Sequence, residues 1–214
     1  MKKVFFTCNR LGYGGAERVI CSFCNELSEH GVKCSIVCLD VIEGFHYKTN
    51  KGVDIIKLNE NVGNRKSWLA RKLWGFVYLF RLFRLLKNEQ PDVVCSFYSK
   101  QNCYSILCSR LLHIPVICSE RDSLFLSDGK VNHYLRSIFY KHSSGFIHQT
   151  EWSKKYLEKQ YNTIKDSLVL QNPLWIKTFP KRMPQKGNII AVGRLTEQQK
   201  NFKGLIGAGG NTCV

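Results

Sequence analysis

The chain is poor in acidic residues: 16 Asp and Glu stand against 32 Lys and Arg in 214 residues, a formal net charge of +16. That imbalance attracts polyanions, whether nucleic acid, anionic lipid or phosphorylated small molecules. Zinc-finger spacing, RNP aromatics and basic-zipper heptads are missing, so nucleic acid is not an expected partner. No D-x-D, H-E-x-x-H, G-x-S-x-G or P-loop sequence occurs, so neither a carboxylate-held magnesium nor a serine-hydrolase elbow is signalled. If a diphosphate leaving group is stabilised, basic side chains must do it. No secretory leader opens the chain, because Val4-Phe5-Phe6 is too short an apolar run and Cys8-Asn9-Arg10 interrupts it. A cytosolic location is therefore expected. There is also no internal repeat and no low-complexity tract.

What is present is ordinary for a globular protein in hydrophobic content, at 44%, and unusual in its 10 cysteines. In a reducing compartment these read as core thiols rather than a disulfide framework. Cys8, Cys34, Cys38, Cys95 and Cys118 lie in apolar strand-like runs, where a thiol acts as a small hydrophobe. Cys34 and Cys38, four apart in a strand, are separated by roughly 13 Å, too far to share one tetrahedral zinc. Cys21-x-x-Cys24 has no matching pair nearby, so no metal site is expected.

Apolar runs of strand length recur at Lys3–Cys8, Lys33–Leu39, Asp54–Leu58, Asp92–Phe97, Pro115–Ser119, Gly145–Gln149 and Ser167–Leu170. Helical patterns separate most of them, at Gly15–Glu29, Ser67–Lys87, Gln101–Leu112, Val131–Lys141 and Glu151–Gln160. Strands apolar on both faces and alternating with helices imply a parallel sheet covered on both sides, an α/β, Rossmann-like, doubly wound fold. Polar residues collect where the strands end, at Asn9, Asp40, Ser96, Ser119-Glu120-Arg121, Gln149-Thr150 and Asn172. In an open parallel sheet these ends share one rim, where ligands bind.

Pro173, Pro180 and Pro184, with interspersed Lys and Arg, read as a linker. The expected organisation is a first domain at 1–172, a linker at 173–186 and, at 187–214, the first βα unit of a second domain. A strand is expected at Asn188–Val192 and a helix from about Lys200 to Ile206. The glycines from Gly207 onward are expected to end that helix.

Two constellations carry chemistry. Between strand one and helix one runs Asn9-Arg10-Leu11-Gly12-Tyr13-Gly14-Gly15-Ala16-Glu17, whose glycines admit a close ligand to the helix N-terminus, a natural anion site. It is not the dinucleotide fingerprint: Glu17 occupies the third glycine's place, and Asp40 comes late for a ribose-binding acid. No nicotinamide cofactor is expected. The second is Gly193-Arg194-Leu195 with Lys200, two cations able to converge on a diphosphate, or else an exposed basic turn in a basic protein.

The order of motifs, GGAERV after strand one, SERDS after a central strand, FIHQTEWSKKYL, VLQNPL before the linker and then AVGRLTEQQKNFKGLI, resembles the family-4-like, GT-B glycosyltransferases. The resemblance spans nearly all of 1–206. It implies a retaining, metal-independent and cofactor-free transfer of a sugar from a nucleotide-sugar donor to a lipid-linked or saccharide acceptor in bacterial surface polysaccharide synthesis. It further implies that Arg194 and Lys200 grip the donor diphosphate. Gly14, Gly15 and Glu17 would line the cleft, Glu120 and Arg121 would face the acceptor or reacting sugar, Gln149 and Thr150 would match the QTE strand end, and Asn172 with Pro173 would close the first domain. The family's E-x7-E segment lies beyond Val214, so the expectation is a chain truncated in its donor-binding domain, through frame shift or early termination, and weak or inactive alone. From another class, the alternative is a noncatalytic basic module for anionic membrane or nucleic acid.

The stretch from Arg65 to Lys87 packs Trp, Tyr, Phe and Leu between cations, and Arg81 and Arg84 interrupt it before the roughly 20 apolar residues a spanning helix needs. Two readings stand side by side: an interfacial helix on the anionic inner membrane surface, and a core helix with snorkelling cations.

Overall fold

The computed structural model describes residues 1–43, 45, 47–58, 68–121, 130–161, 166–173, 191–193 and 201–210, apart from the side chains of 68–74, 130, 209 and 210. Seven strands form one sheet: β1 (Lys3–Leu11), β2 (Lys33–Val41), β3 (Val53–Lys57), β4 (Val93–Phe97), β5 (Val116–Ser119), β6 (Gly145–His148) and β7 (Ser167–Val169). The helices are α1 (Gly15–Glu29), α2 (Trp68–Glu89), α3 (Ser99–Leu111), α4 (Lys130–Phe139), α5 (Glu151–Tyr161) and α6 (Phe202–Gly210), with a 3-10 turn at Tyr140–His142 after α4. The spatial order is β3-β2-β1-β4-β5-β6-β7, and every adjacent pair is parallel.

Alternation along the strands feeds two cores. On one face Val4, Phe6 and Cys8 of β1 and Cys34, Ile36 and Cys38 of β2 meet Ile20, Cys21 and Cys24 of α1. On the other, Phe5, Val94, Val116 and Cys118 meet Tyr78, Leu82 and Leu86 of α2 and Cys103 and Ile106 of α3. Each fully buried Leu or Ile adds about 1.5–3 kcal/mol over its exposed state. The nine described cysteines are all free thiols, as expected of core residues. Burial pushes Cys38, Cys95, Cys103 and Cys108 up to about 12 and Cys21 up to about 11.

Helix α1 starts at Gly14, carries Glu17 in its first turn where the dipole favours an anion, and stops at Gly31, whose φ of +76° suits glycine. Val32 N–H donates to Leu27 O and Gly31 N–H to Ser28 O, closing the helix end. Strands β1 and β2 run farther than the apolar pattern suggests, because Arg10 pairs opposite Asp40 and Leu11 opposite Val41. Alternation reports burial, whereas the ladder needs only backbone groups.

Two expectations are corrected. Ala191 and Val192 lie outside any strand and Val192 is 93% exposed, so among the described residues no sheet partner covers the end of the expected run. Helix α6 continues through Gly207, Ala208, Gly209 and Gly210, because glycine disfavours helix by entropy and not by a steric bar. The linker at 174–186, and the start of the expected strand at 188–190, lie outside the described residues.

Candidate active site

Strands β1 and β4 are neighbours, yet the chain leaves them toward opposite faces of the sheet, into α1 and α3. Their carboxyl ends therefore open a crevice. A cavity of about 290 Å³ lies there, lined by Asn9 and Arg10 of β1, Glu17 of α1, Tyr98, Ser99, Lys100 and Gln101 at the start of α3, and Asn132 of α4.

Glu17 folds back over its own helix start. A Cβ on Gly14 would sit 2.1 Å from Glu17 Oε2, so a larger residue there would displace the carboxylate from this position. The Tyr98 hydroxyl donates to Glu17 Oε1 at 2.9 Å. Among the described residues Glu17 Oε2 is buried without a hydrogen-bond partner, and so is Gln101 Oε1. Gln101 is only 3% exposed, whereas Arg10 and Lys100 are exposed at the cavity's edge. The interior thus offers acceptor oxygens and the rim offers cations.

Tyr98 has φ +76°, costly for a residue with a Cβ and found mostly where the surroundings impose it. Here its N–H donates to Ser119 O at 3.1 Å and its carbonyl accepts from Asn102 N–H at 2.8 Å, which fixes the turn from β4 into α3.

Behind the cavity lies a buried ionic cluster. Glu120 Oε1 is 3.3 Å from Arg136 Nε, with side-chain exposures of 3% and 1%. Glu120 Oε2 accepts from Ser99 Oγ at 3.0 Å, and Oε1 accepts from the Tyr140 hydroxyl. Arg136 also donates to Ser99 Oγ. The carboxylate therefore points into the domain and ties α4 and the 3-10 turn to Ser99, which lines the cavity.

Arg121 turns the other way. Its guanidinium donates to Asn172 Oδ1 at 2.6 Å and rests 5.1 Å from the centre of the Phe97 ring, and burial lowers it to about 10, still charged at neutral pH. Thr150 caps α5, its Oγ1 accepting from Ser153 N–H at 3.1 Å, and Gln149 beside it is half-buried. Gly15 is the first residue of α1, with open space where a Cβ would stand. Arg194 and Lys200 lie outside the described residues.

The structure thus places Glu17 in the cavity wall, with Gly14 and Gly15 beside it at the start of α1 but not lining the cavity, and separately pairs Arg121 with Asn172. Sequence reasoning missed Tyr98, Lys100, Gln101 and Asn132 as cavity residues. The available signal was an aromatic directly after the apolar run of β4, at the strand-to-helix junction.

Residues 13–173 match Glycosyltransferase Family 4. The chain is 28% identical over 206 residues to a Campylobacter jejuni enzyme named as GalNAc-alpha-(1->4)-GalNAc-alpha-(1->3)-diNAcBac-PP-undecaprenol alpha-1,4-N-acetyl-D-galactosaminyltransferase. That match covers 94% of this chain and 55% of the relative, so the chain spans about half the length of the curated relative it matches. Among solved structures, the lipopolysaccharide outer core galactosyltransferase WaaB superposes with a TM-score of 0.61 at 19% identity, covering 88% of this chain and 50% of that one. Sucrose-phosphate synthase from Thermosynechococcus elongatus gives 0.60 at 7% identity, covering 80% and 48%. These likenesses carry the fold, that of the first half of a GT-B glycosyltransferase.

Proposed function

Because the chain belongs to Glycosyltransferase Family 4, we propose that it is the acceptor-side domain, with the beginning of a donor-side lobe, of a retaining glycosyltransferase. The enzyme moves a sugar from a nucleotide-sugar donor to a lipid-linked or saccharide acceptor in surface polysaccharide synthesis. The observation that carries this reading is the cavity between β1 and β4, a polar recess at the sheet's switch point inside the matched residues. The lipid-linked acceptor in the name of the Campylobacter relative supports the same substrate class.

In this reading the acceptor hydroxyl oxygen bonds to the donor's anomeric carbon on the face from which the diphosphate departs, and the hydroxyl proton passes to the departing diphosphate oxygen as its bond to that carbon breaks. Arg194 and Lys200 meet the charge left on the diphosphate, so the reaction calls on no metal and no cofactor. Gly14, Gly15, Gln149 and Thr150 line the cleft, while Arg121 and Asn172 brace its far side. Glu120, with both carboxylate oxygens engaged, acts as a positioning residue holding Ser99 and the start of α3.

Helix α2 supplies the contact with the membrane at its cytoplasmic face. Its inner face, Tyr78, Leu82 and Leu86, is buried in the core. On the outer face Phe76 and Phe80 are 74% and 65% exposed and stand in line with exposed Arg84 and Lys87. Aromatics flanked by cations fit the boundary between acyl chains and anionic headgroups. No helix among the described residues is long and apolar enough to cross a membrane.

The test is transfer of a radiolabelled hexosamine from its UDP donor to an undecaprenyl-diphosphate-linked saccharide. It is run with this chain alone and with its residues 1–193 joined to the donor half of the Campylobacter relative. The joined protein is expected to transfer with retention, read from the anomeric proton coupling of the product, and the chain alone to transfer little. A folded joined protein that transfers nothing to any lipid-linked saccharide contradicts the reading.

A further inference from the structure

We propose that the end of the sheet opposite the crevice carries an oxyanion site, in which Arg110, His113, His142, Ser109 and Ser144 donate hydrogen bonds to a phosphate-class ligand. A cavity of about 600 Å³ opens there, between the end of α3, the start of β5 and the turn into β6. These five residues line it with the apolar Ile114, Pro115 and Val116, and among the described residues no carboxylate does. The site is independent of the glycosyl-transfer reading, since none of its residues belongs to the cleft.

The hydrogen bonds already made decide what the lining can still offer. An arginine only donates, so the 2.6 Å contact from Arg110 Nη1 to His142 Nδ1 makes that nitrogen the acceptor and puts the proton of the neutral ring on Nε2. Ser144 Oγ accepts from Val116 N–H at 3.1 Å, which leaves its own O–H to donate. Ser109 is 0% exposed, and among the described residues its hydroxyl is buried without a hydrogen-bond partner. That desolvation stays uncompensated until a ligand meets the group. A guanidinium, imidazole N–H groups and two hydroxyls around one space complement phosphate oxygens.

Backbone and charge point the same way. Helix α3 closes with Ile114 N–H donating to Ser109 O at 2.9 Å and His113 N–H to Arg110 O at 3.3 Å, a turn whose positive-φ residue is usually glycine. Here that residue is His113 at φ +58°, a conformation costly to a side chain with a Cβ, and its imidazole lines the cavity. The same bonds occupy the carbonyls of Ser109 and Arg110, which therefore do not compete for the guanidinium. The negative end of the α3 dipole opposes an anion, but that effect is confined to the last turn and is weaker than charge-assisted bonds from a guanidinium. The charged and titratable groups around His142 are Arg110, His113 and Lys141, and among the described residues none is acidic. Burial holds His142 below its ordinary value, with Arg110 and Lys141 pushing the same way; an anion among these cations relieves the repulsion and favours the protonated ring.

The experiment titrates the full chain at constant ionic strength with inorganic phosphate and, in parallel, with phosphatidylcholine vesicles carrying phosphatidic acid. The readout is the His142 imidazole resonance, assigned by its loss in His142→Gln, because phosphate can also meet cations elsewhere on a chain of net charge +16. At least one of the two phosphate sources is expected to shift that resonance saturably and to raise the pH at which His142 titrates. A shift by free phosphate marks a soluble ligand, and a shift by the vesicles alone marks a lipid headgroup. Arg110→Gln and Ser109→Ala are each expected to weaken binding about fivefold or more. Lys51→Gln, which removes the same charge from an exposed position before β3, is expected to stay within about twofold of the native chain. Circular dichroism and the urea midpoint establish that each variant is folded. A His142 resonance and titration that neither source moves overturns the proposal. So does binding that Arg110→Gln and Lys51→Gln weaken alike, since the ligand is then held by general charge and not by this cavity.

Discussion

Replacing Arg136 with methionine keeps a long, flexible side chain and removes the charge facing Glu120. Both side chains are nearly sealed from water, 1% and 3% exposed, and Nε lies 3.3 Å from Oε1. At an effective dielectric near 20 the Coulomb attraction at that distance is about 5 kcal/mol. Removing one member strands the other charge, and buried pairs broken in this way typically lose about 3–5 kcal/mol. Glu120 keeps its bonds from Ser99 and Tyr140, which moderates the loss, so Arg136→Met is expected near the lower end of that range. The double variant Arg136→Met with Glu120→Gln removes the stranded charge and leaves a neutral acceptor for the same hydroxyls. It is expected to be at least about 1 kcal/mol more stable than the single variant. Urea unfolding followed by circular dichroism reads both values. An Arg136→Met cost below about 1 kcal/mol, the level of an exposed pair, would refute the reasoning, because water must then reach the cluster.

Burial holds the His148 imidazole below its ordinary value of 6.5, with Lys154 reinforcing the effect and Glu158 and Glu151 opposing it. The unfolded chain thus takes up a proton near 6.5 that the folded chain refuses, so stability falls as pH drops below that value; His148→Asn is expected to flatten this slope in urea midpoints measured across it. Thr150→Ala removes the cap on Ser153 N–H and is expected to cost about 1 kcal/mol in the same assay. The double change Phe76→Ser and Phe80→Ser is expected to reduce co-sedimentation with anionic liposomes severalfold while leaving the unfolding free energy from urea within about 0.5 kcal/mol, since both rings are exposed; unchanged sedimentation would remove α2 from the membrane contact.

The sheet was legible because its central strands are covered on both faces and appear as apolar runs between helical periods, while the edge strands β3 and β7 are partly exposed. The ends of β1 and β2 were not, since Arg10 and Asp40 pair through backbone groups that no hydrophobic pattern records. Helix α1 was readable to the residue from its glycines and from Val19, Ile20 and Cys24. Within the site, Glu17 and Gly14 showed as a glycine-rich turn with an acid in the first helical turn, but that the acid lies over Gly14 is a three-dimensional fact. Glu120 and Arg121 looked alike at a strand end; the structure sends one to Arg136 on α4 and the other to Asn172 after β7, partners that sequence spacing cannot identify. Gln101 stood out only as the start of a helical pattern, and it lines the cavity because the turn at Tyr98 brings the first residues of α3 into the crevice.

The central claim is that these residues form the acceptor half of a glycosyltransferase. Saturation-transfer NMR of this chain with a water-soluble, short-chain prenyl-diphosphate-linked N-acetylhexosamine, set beside a UDP-hexosamine, tests it most directly. The account predicts strong saturation of the acceptor's sugar protons and little on the UDP-hexosamine; saturation of the UDP-hexosamine alone, or of neither, would contradict it.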